Sequence, residues 1–145
     1  MTVTRDFTAS VFVVWQAQVA LHRHAKLGLL FFPPGGHIEP NELPDEAAVR
    51  EVLEEMGVRV ALEAELPAHL SSPRMLPRPR GVQLEQIADG HEHIDLVYFG
   101  RPLEPYDGAL LPGFAWYDAD ALETLDLLPD VRAWCQLALK ESNHA

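Results

Sequence analysis

Apolar residues come in short bursts along this chain, and their period changes from one burst to the next. Residues 7–15, FTASVFVVW, are β-branched and aromatic and predict a buried strand. Gln16 to Gln18 reads as a short turn, and Val19-Ala20-Leu21 opens a second strand running toward His22-Arg23-His24, giving a hairpin. Lys26 to Leu30 is an expected loop, Phe31-Phe32 a short strand, and Pro33-Pro34-Gly35-Gly36 a fixed turn followed by close backbone approach. The period then becomes helical. Val49, Val52, Leu53 and Met56 stand at i, i+3, i+4 and i+7, one apolar stripe on a helix from Pro44 to Met56. Pro44 suits the first turn, where its missing N–H costs nothing, and Gly57 is placed to end the helix as a left-handed cap.

Downstream, Arg59-Val60-Ala61-Leu62 predicts a strand leaving that helix. Residues 66–81, LPAHLSSPRMLPRPRG, are proline-rich and predict an irregular loop rather than a helix. From His93 the chain alternates, with His93, Asp95, Val97 and Phe99 on one side and Ile94, Leu96 and Tyr98 on the other, which is a strand pattern. Ala115-Trp116-Tyr117 is a further strand; Asp118 and Asp120 are natural helix N-caps for the short segment that follows. A final amphipathic helix from Val131 to Lys140 buries Val131, Trp134, Cys135 and Leu139, with Cys135 a packing residue rather than a nucleophile. Periodicity alone thus gives a mixed α and β domain.

Composition narrows the setting. The 145 residues suffice for one cored domain spanning 1–145 and are too few for two ordinary ones. No apolar run approaches the roughly 20 residues needed to span a bilayer, and MTVTRDFTAS lacks the layout of a secretion signal. One cysteine excludes an internal disulfide and fits a reducing compartment, so the cytoplasm is the expected location. A net charge of −11 argues against general adhesion to nucleic acid or anionic membrane. An acidic protein acting on an anionic substrate needs a bridging cation.

The helix supplies the means to hold one. Glu51, Glu54 and Glu55 lie within about 100° of one another, given about 100° per residue. Each close pair costs on the order of 1 kcal/mol in water at about 4 Å, and only Arg50 in the same segment offsets this. A hard divalent cation relieves the repulsion, and an oxygen-rich site suits Mg²⁺ or Mn²⁺. The bland alternative is a solvated acidic face.

The spacing decides between the two. Gly36 is followed after five residues by Glu42, after seven more by Arg50-Glu51, then Val52, Glu54-Glu55, Gly57 and Val58, filling every fixed position of GX5EX7REUXEEXGU, where U is a bulky aliphatic residue. This resembles the signature of the Nudix hydrolases, which cleave diphosphate linkages in nucleoside diphosphate derivatives. The resemblance implies an α/β fold, an α/β/α sandwich with a mixed β-sheet. It implies metal-dependent hydrolysis by water attack on phosphorus, with Glu51, Glu54 and Glu55 as metal ligands. The Gly35 carbonyl is an additional candidate ligand, as is Glu92, an acidic residue downstream of the motif. Glu54, Glu55 and Glu92 are all candidate general bases. Arg50 is cast as a support that holds a glutamate rotamer, and Glu42 as a brace for the loop–helix junction.

Other residues admit two readings each. Arg74, Arg78 and Arg80 either solubilise an exposed loop or form a basic lip that grips substrate phosphates. His22 and His24 are expected to face solvent on an edge segment. A zinc site through His91, His93 and Asp95 is the weaker reading of those residues, since zinc needs more convergent ligands. For the whole chain, the rivals to a small-nucleotide hydrolase are a nucleotide-binding module that has lost catalysis and an RNA 5′-end pyrophosphohydrolase. The complete set of glutamates disfavours the first, and net acidity the second. The expected partner is a small nucleotide, with no membrane; the sequence does not choose between a monomer and a homodimer.

Overall fold

A computed structural model describes residues 2–24, 30–66, 70 and 72–142. The central strand β1 (Thr4–Trp15) turns back into β2 (Gln18–His24) through Gln16 and Ala17, both at positive φ, 49° and 58°. That is the two-residue hairpin geometry whose twist matches paired strands. β3 (Leu30–Phe32) lies on the far side of β2, and β4 (Gly35–His37) returns antiparallel to β1. The expected loop at Lys26 to Leu30 lies outside the described residues except for Leu30, which opens β3. Helix α1 (Pro44–Met56) follows, then β5 (Val60–Leu62), β6 (Gly81–Ala88), β7 (His91–Pro102) and β8 (Phe114–Tyr117). Helices α2 (Ala119–Thr124) and α3 (Pro129–Ser142) complete the described chain.

β1 and β7 pair in parallel from Thr4–His91 to Val13–Gly100, and the other strand pairs are antiparallel, so the eight-stranded sheet is mixed. Alternation along β1 splits the core between two faces. Ala9, Val11 and Val13 pack with Ala47, Ala48, Val52 and Met56 of α1. Phe12 packs the other way, with Val97, Phe99, Val131 and Cys135 under α3. The result is an α/β/α sandwich. No described helix is long and apolar enough to cross a membrane.

Local signals set the ends of α1. Glu46 accepts a hydrogen bond from the Leu43 N–H at 3.1 Å, and Gly57 at φ 74° closes the helix with its N–H on the Leu53 carbonyl at 3.0 Å. The buried stripe differs from the expected one. Ala48, Val52 and Met56 face the sheet with Ala47, while Leu53 is 36% exposed and Val49 only partly buried. The two alanines let α1 approach the sheet closely, and this turns Leu53 outward.

Three further expectations change. Gly35-Gly36 is a strand rather than a turn. β6 was not expected from the pattern; it is an edge strand whose partner, β7, is set by tertiary pairing. β2 is interior, paired to β1, β3 and β8, so His22 and His24 are not on an edge but pack against Phe32.

Candidate functional site

The site forms where the free edge of β4 meets the polar face of α1. The Val11 N–H bonds the Pro34 carbonyl and the Ile38 N–H bonds the Phe7 carbonyl. In an antiparallel ladder this makes Ala9 and Gly36 the bonded pair, so Gly35 and His37 direct their backbone polar groups away from β1. Side chains of α1 take up those groups. Glu55 Oε1 accepts from the Gly35 N–H at 2.8 Å, and Arg50 Nη2 donates to the His37 carbonyl at 3.1 Å. A Cβ on Gly36 would lie 2.5 Å from Glu51 Oε1, and one on Gly35 would lie 2.6 Å from the Ala9 carbonyl oxygen. Glycine at 35 thus lets β4 lie close against β1, and glycine at 36 leaves the Glu51 carboxylate its place.

Arg50 is the hub of the carboxylates. Its Nε and Nη2 donate to Glu42 at 2.7 and 3.0 Å, while Nη1 donates to Glu51 at 2.9 Å and Glu54 at 3.3 Å. This hydrogen bonding is the main reason the Glu42 carboxyl is held below its ordinary range. One guanidinium thus spaces Glu51 and Glu54 around a single nitrogen. Glu51 is mostly covered, with 15% of its side chain exposed, whereas Glu54 is open at 59%. Glu55 lies outside the arginine's reach. Burial, partly offset by the Gly35 N–H and reinforced by Glu51 and Glu54, pushes its carboxyl up to about 7. Three carboxylates against one guanidinium leave an excess of negative charge on hard oxygen donors, and this set fits a hard divalent cation.

Beside Glu55 opens a cavity of about 350 Å³ between β4, β6 and the start of α3. Its floor is the β1–β7 sheet face. Asp95, 6% exposed, accepts from the Thr8 hydroxyl at 2.9 Å and the Ser10 hydroxyl at 2.8 Å. Glu85 stands next to it from β6, and burial first, then the charges of Asp95 and Asp130, raise its carboxyl. Phe12, Phe32 and His22 supply apolar and aromatic wall.

The structure brings Glu51, Glu54, Glu55, Arg50 and Gly35 together, and separates the remaining candidates from them. Glu92 falls on the opposite face of β7 from His93 and Asp95, where it accepts from Arg5 at 2.8 Å, and it does not line the cavity. Arg78 pairs with Glu65 at 3.2 Å and Arg80 with Glu141 at 2.6 Å, and Arg74 is exposed in a turn; none of the three lines the cavity. Sequence reasoning missed Glu85 and the Thr8–Ser10–Asp95 set. An aspartate inside an otherwise apolar strand was the available signal for Asp95, whereas nothing local marks Glu85. Cys135 is fully buried and burial pushes its thiol up to about 12, which fits a packing residue.

With this geometry in view, comparisons with known proteins agree with one another. A family model described as NUDIX domain matches residues 2–137. A crystal structure of a hydrolase of the NUDIX family from Clostridium perfringens superposes with a TM-score of 0.83 at 32% identity, covering 96% of this chain and 99% of that one. A NUDIX hydrolase from Nitrosomonas europaea shares the fold, with a TM-score of 0.66 at 20% identity over 96% of this chain and 90% of its own. A protein of Bacillus subtilis named putative 8-oxo-dGTP diphosphatase is 43% identical over 58 residues, which is 40% of this chain and 39% of that protein's length. The chain therefore spans about two fifths of that curated relative.

Proposed function

The chain belongs to the Nudix hydrolase family, and from that premise we propose that it hydrolyses the diphosphate linkage of a nucleoside triphosphate whose base enters the cavity beside Glu55. The observation that carries this reading is the Arg50 hub, which holds Glu42, Glu51 and Glu54 around one guanidinium while Glu55 is fixed separately to the Gly35 N–H. Glu51, Glu54 and Glu55, with the outward carbonyl of Gly35, would hold Mg²⁺ or Mn²⁺. When bound, the ion supplies charge neutralisation for the diphosphate and acidifies the attacking water. Arg50 orients Glu51 and Glu54 without touching substrate, as outer partners of ligands do. The Gly35 N–H bond sets the rotamer of Glu55. General-base candidates on α1 are Glu54 and Glu55; Glu92 is paired with Arg5 on the other face of β7, which supports leaving it out of that role.

The cavity argues for the base rather than the phosphates as its occupant. Glu85, Asp95 and Asp130 line it and would repel a phosphate chain, while they can accept from base amino and imino groups. Its volume is in the range of small-molecule sites, and Phe32 and His22 offer surfaces for a ring. The name of the Bacillus subtilis relative supports a purine nucleoside triphosphate. Engagement of Arg78 by Glu65 and of Arg80 by Glu141 favours a small nucleotide over an RNA 5′ end.

The test is a panel with Mg²⁺ or Mn²⁺ comprising dGTP, 8-oxo-dGTP, other nucleoside triphosphates, nucleotide sugars, ADP-ribose and 5′-triphosphate RNA, with products identified. The expected result is a nucleoside monophosphate and pyrophosphate from a purine triphosphate. Preferential cleavage of a nucleotide sugar or of RNA would overturn the substrate assignment, and no cleavage anywhere would overturn the activity.

A further inference from the structure

Four residues that the proposed hydrolysis does not use meet at the outer rim of the cavity. Parallel pairing of β1 with β7 sets Asp6 beside His93, with His91 two residues back on the same face. Pairing of β1 with β4 sets His37 beside Thr8, again on that face. The donor atoms of Asp6, His91 and His93 all lie within 4.8 Å of one another. Asp6 Oδ2 is 3.4 Å from His91 Nε2 and 3.5 Å from His37 Nε2. The ring centroids of His37 and His91 lie 5.1 and 5.2 Å from that of His93.

The Asp6–His91 separation of 3.4 Å is that of a tetrahedral edge. With metal–nitrogen and metal–oxygen bonds of roughly 2.0–2.2 Å, neighbouring ligand atoms of a four-coordinate zinc site stand about 3.3–3.6 Å apart. A second observation concerns the far side of His91. The Thr4 hydroxyl lies 2.9 Å from His91 Nδ1 and 3.3 Å from the Gly90 carbonyl, so it can donate to the carbonyl while accepting from Nδ1–H. In that tautomer, which metal binding at Nε2 selects, the Nε2 lone pair faces the ion. A ligating imidazole is commonly oriented this way, its other nitrogen donating to a fixed oxygen.

The geometry points to a second metal site, separate from the carboxylates of α1, in which Asp6, His91 and His93 bind one divalent transition metal of the zinc class, with water in the fourth position and His37 beside Asp6. Two imidazoles and one carboxylate suit zinc, nickel or copper, whereas an all-oxygen set suits magnesium. Asp95, the third ligand that His91 and His93 suggest in the sequence, is turned to Thr8 and Ser10 instead, and Asp6 from the neighbouring strand takes that place. An ion here joins β1 and β7 at the rim, and it stabilises the fold by binding the native state alone. The site does not depend on the hydrolytic reading, and its test is arranged so that the two can fail separately.

The experiment uses protein without a histidine tag carrying Glu51→Gln, Glu54→Gln and Glu55→Gln, which removes the α1 carboxylates as competitors. Zn²⁺ is titrated calorimetrically, and Co²⁺ is followed by its visible absorption. The expected result is one ion per chain, a four-coordinate Co²⁺ spectrum and a rise in Tm with Zn²⁺. Adding His91→Ala and His93→Ala should abolish the Co²⁺ spectrum. Thr4→Val, at an exposed position that leaves every ligand in place, should weaken Zn²⁺ binding on the order of 10-fold. Failure of the α1-substituted protein to bind Zn²⁺, or binding indifferent to both the histidine and the Thr4 substitutions, would overturn the site.

Discussion

Two sets of carboxylates flank the cavity, and the protein handles their charge in opposite ways. At α1, Glu51 and Glu54, with Glu42 just before the helix, gather round a permanently charged guanidinium. On the sheet face, Asp95 is met by two neutral hydroxyls and crowds Glu85, whose carboxyl is raised. The first arrangement preserves negative charge where a cation can reach it, since Glu54 is 59% exposed. The second buries its carboxyls, and burial raises that of Glu85, so this wall can donate a hydrogen bond as well as accept one. Identical side-chain chemistry thus yields the proposed ion-binding edge and the proposed ring-binding floor. What separates them is the type of partner.

The largest effect expected from breaking this contrast is on the α1 side. Glu54→Gln and Glu55→Gln should each lower kcat on the order of 10²–10³-fold with far-UV circular dichroism unchanged, the scale of losing one electrostatic contributor. Near-normal turnover in both would remove these residues from the mechanism. Arg50→Lys comes next. Lysine keeps the charge but cannot span Glu42, Glu51, Glu54 and the His37 carbonyl together. Urea unfolding should show a loss of about 2–3 kcal/mol, the scale of hydrogen bonds to charged groups. An unchanged midpoint would mean that the hub holds no structure.

The difference between the two flanks also explains how much of each was legible. The α1 side is local in sequence: Pro44 and Gly57 bound the helix, and Glu42 to Glu55 carry their spacing within one segment. Its structural content needed little beyond helical period. The floor is assembled from strands far apart. Thr8 and Ser10 meet Asp95 only because β1 and β7 pair in parallel, and Glu85 faces His93 only through the register of an edge strand that the pattern did not reveal. Glu92 shows the limit most clearly. Its place downstream of the motif suggested a role at the site, but one step along a strand reverses the face. Alternation from His93 already contained that parity. The partner of Asp6 could not be read at all, because it required the same parallel register.

A test of the floor follows. Asp95→Asn leaves one carbonyl oxygen for two hydroxyl donors, so either Thr8 or Ser10 loses its acceptor in a buried place. The expected cost is about 1–2 kcal/mol in urea unfolding. It also removes a negative neighbour from Glu85, so that carboxyl should titrate lower, which carbon-detected NMR reads directly. An unmoved Glu85 would separate the two groups and weaken the contrast between the flanks.

The smallest expected effect is the most diagnostic, because its sign is opposite to that of an ordinary mutation. Of Glu51, Glu54 and Glu55, the last is the one with no hydrogen bond from Arg50, and in the folded chain its carboxyl stands at about 7 rather than 4.5. Below about pH 4.5 it is protonated in the folded and unfolded states alike, and it costs nothing. Between 4.5 and 7 the fold retains a proton that the unfolded chain releases, so stability falls as pH rises. Above 7 the full penalty applies; solvent screening at this partly exposed position leaves about 1 kcal/mol of it. Glutamine cannot ionise, yet it still accepts from the Gly35 N–H. In EDTA, Glu55→Gln should therefore raise Tm by about 2–4 °C at pH 8 and leave it unchanged at pH 4. With Mg²⁺ the order should reverse at pH 8, since the wild-type carboxylate then has its counter-ion. A variant that melts lower in EDTA at pH 8, or gains equally at both pH values, would show that Glu55 carries no stored repulsion for a cation to relieve.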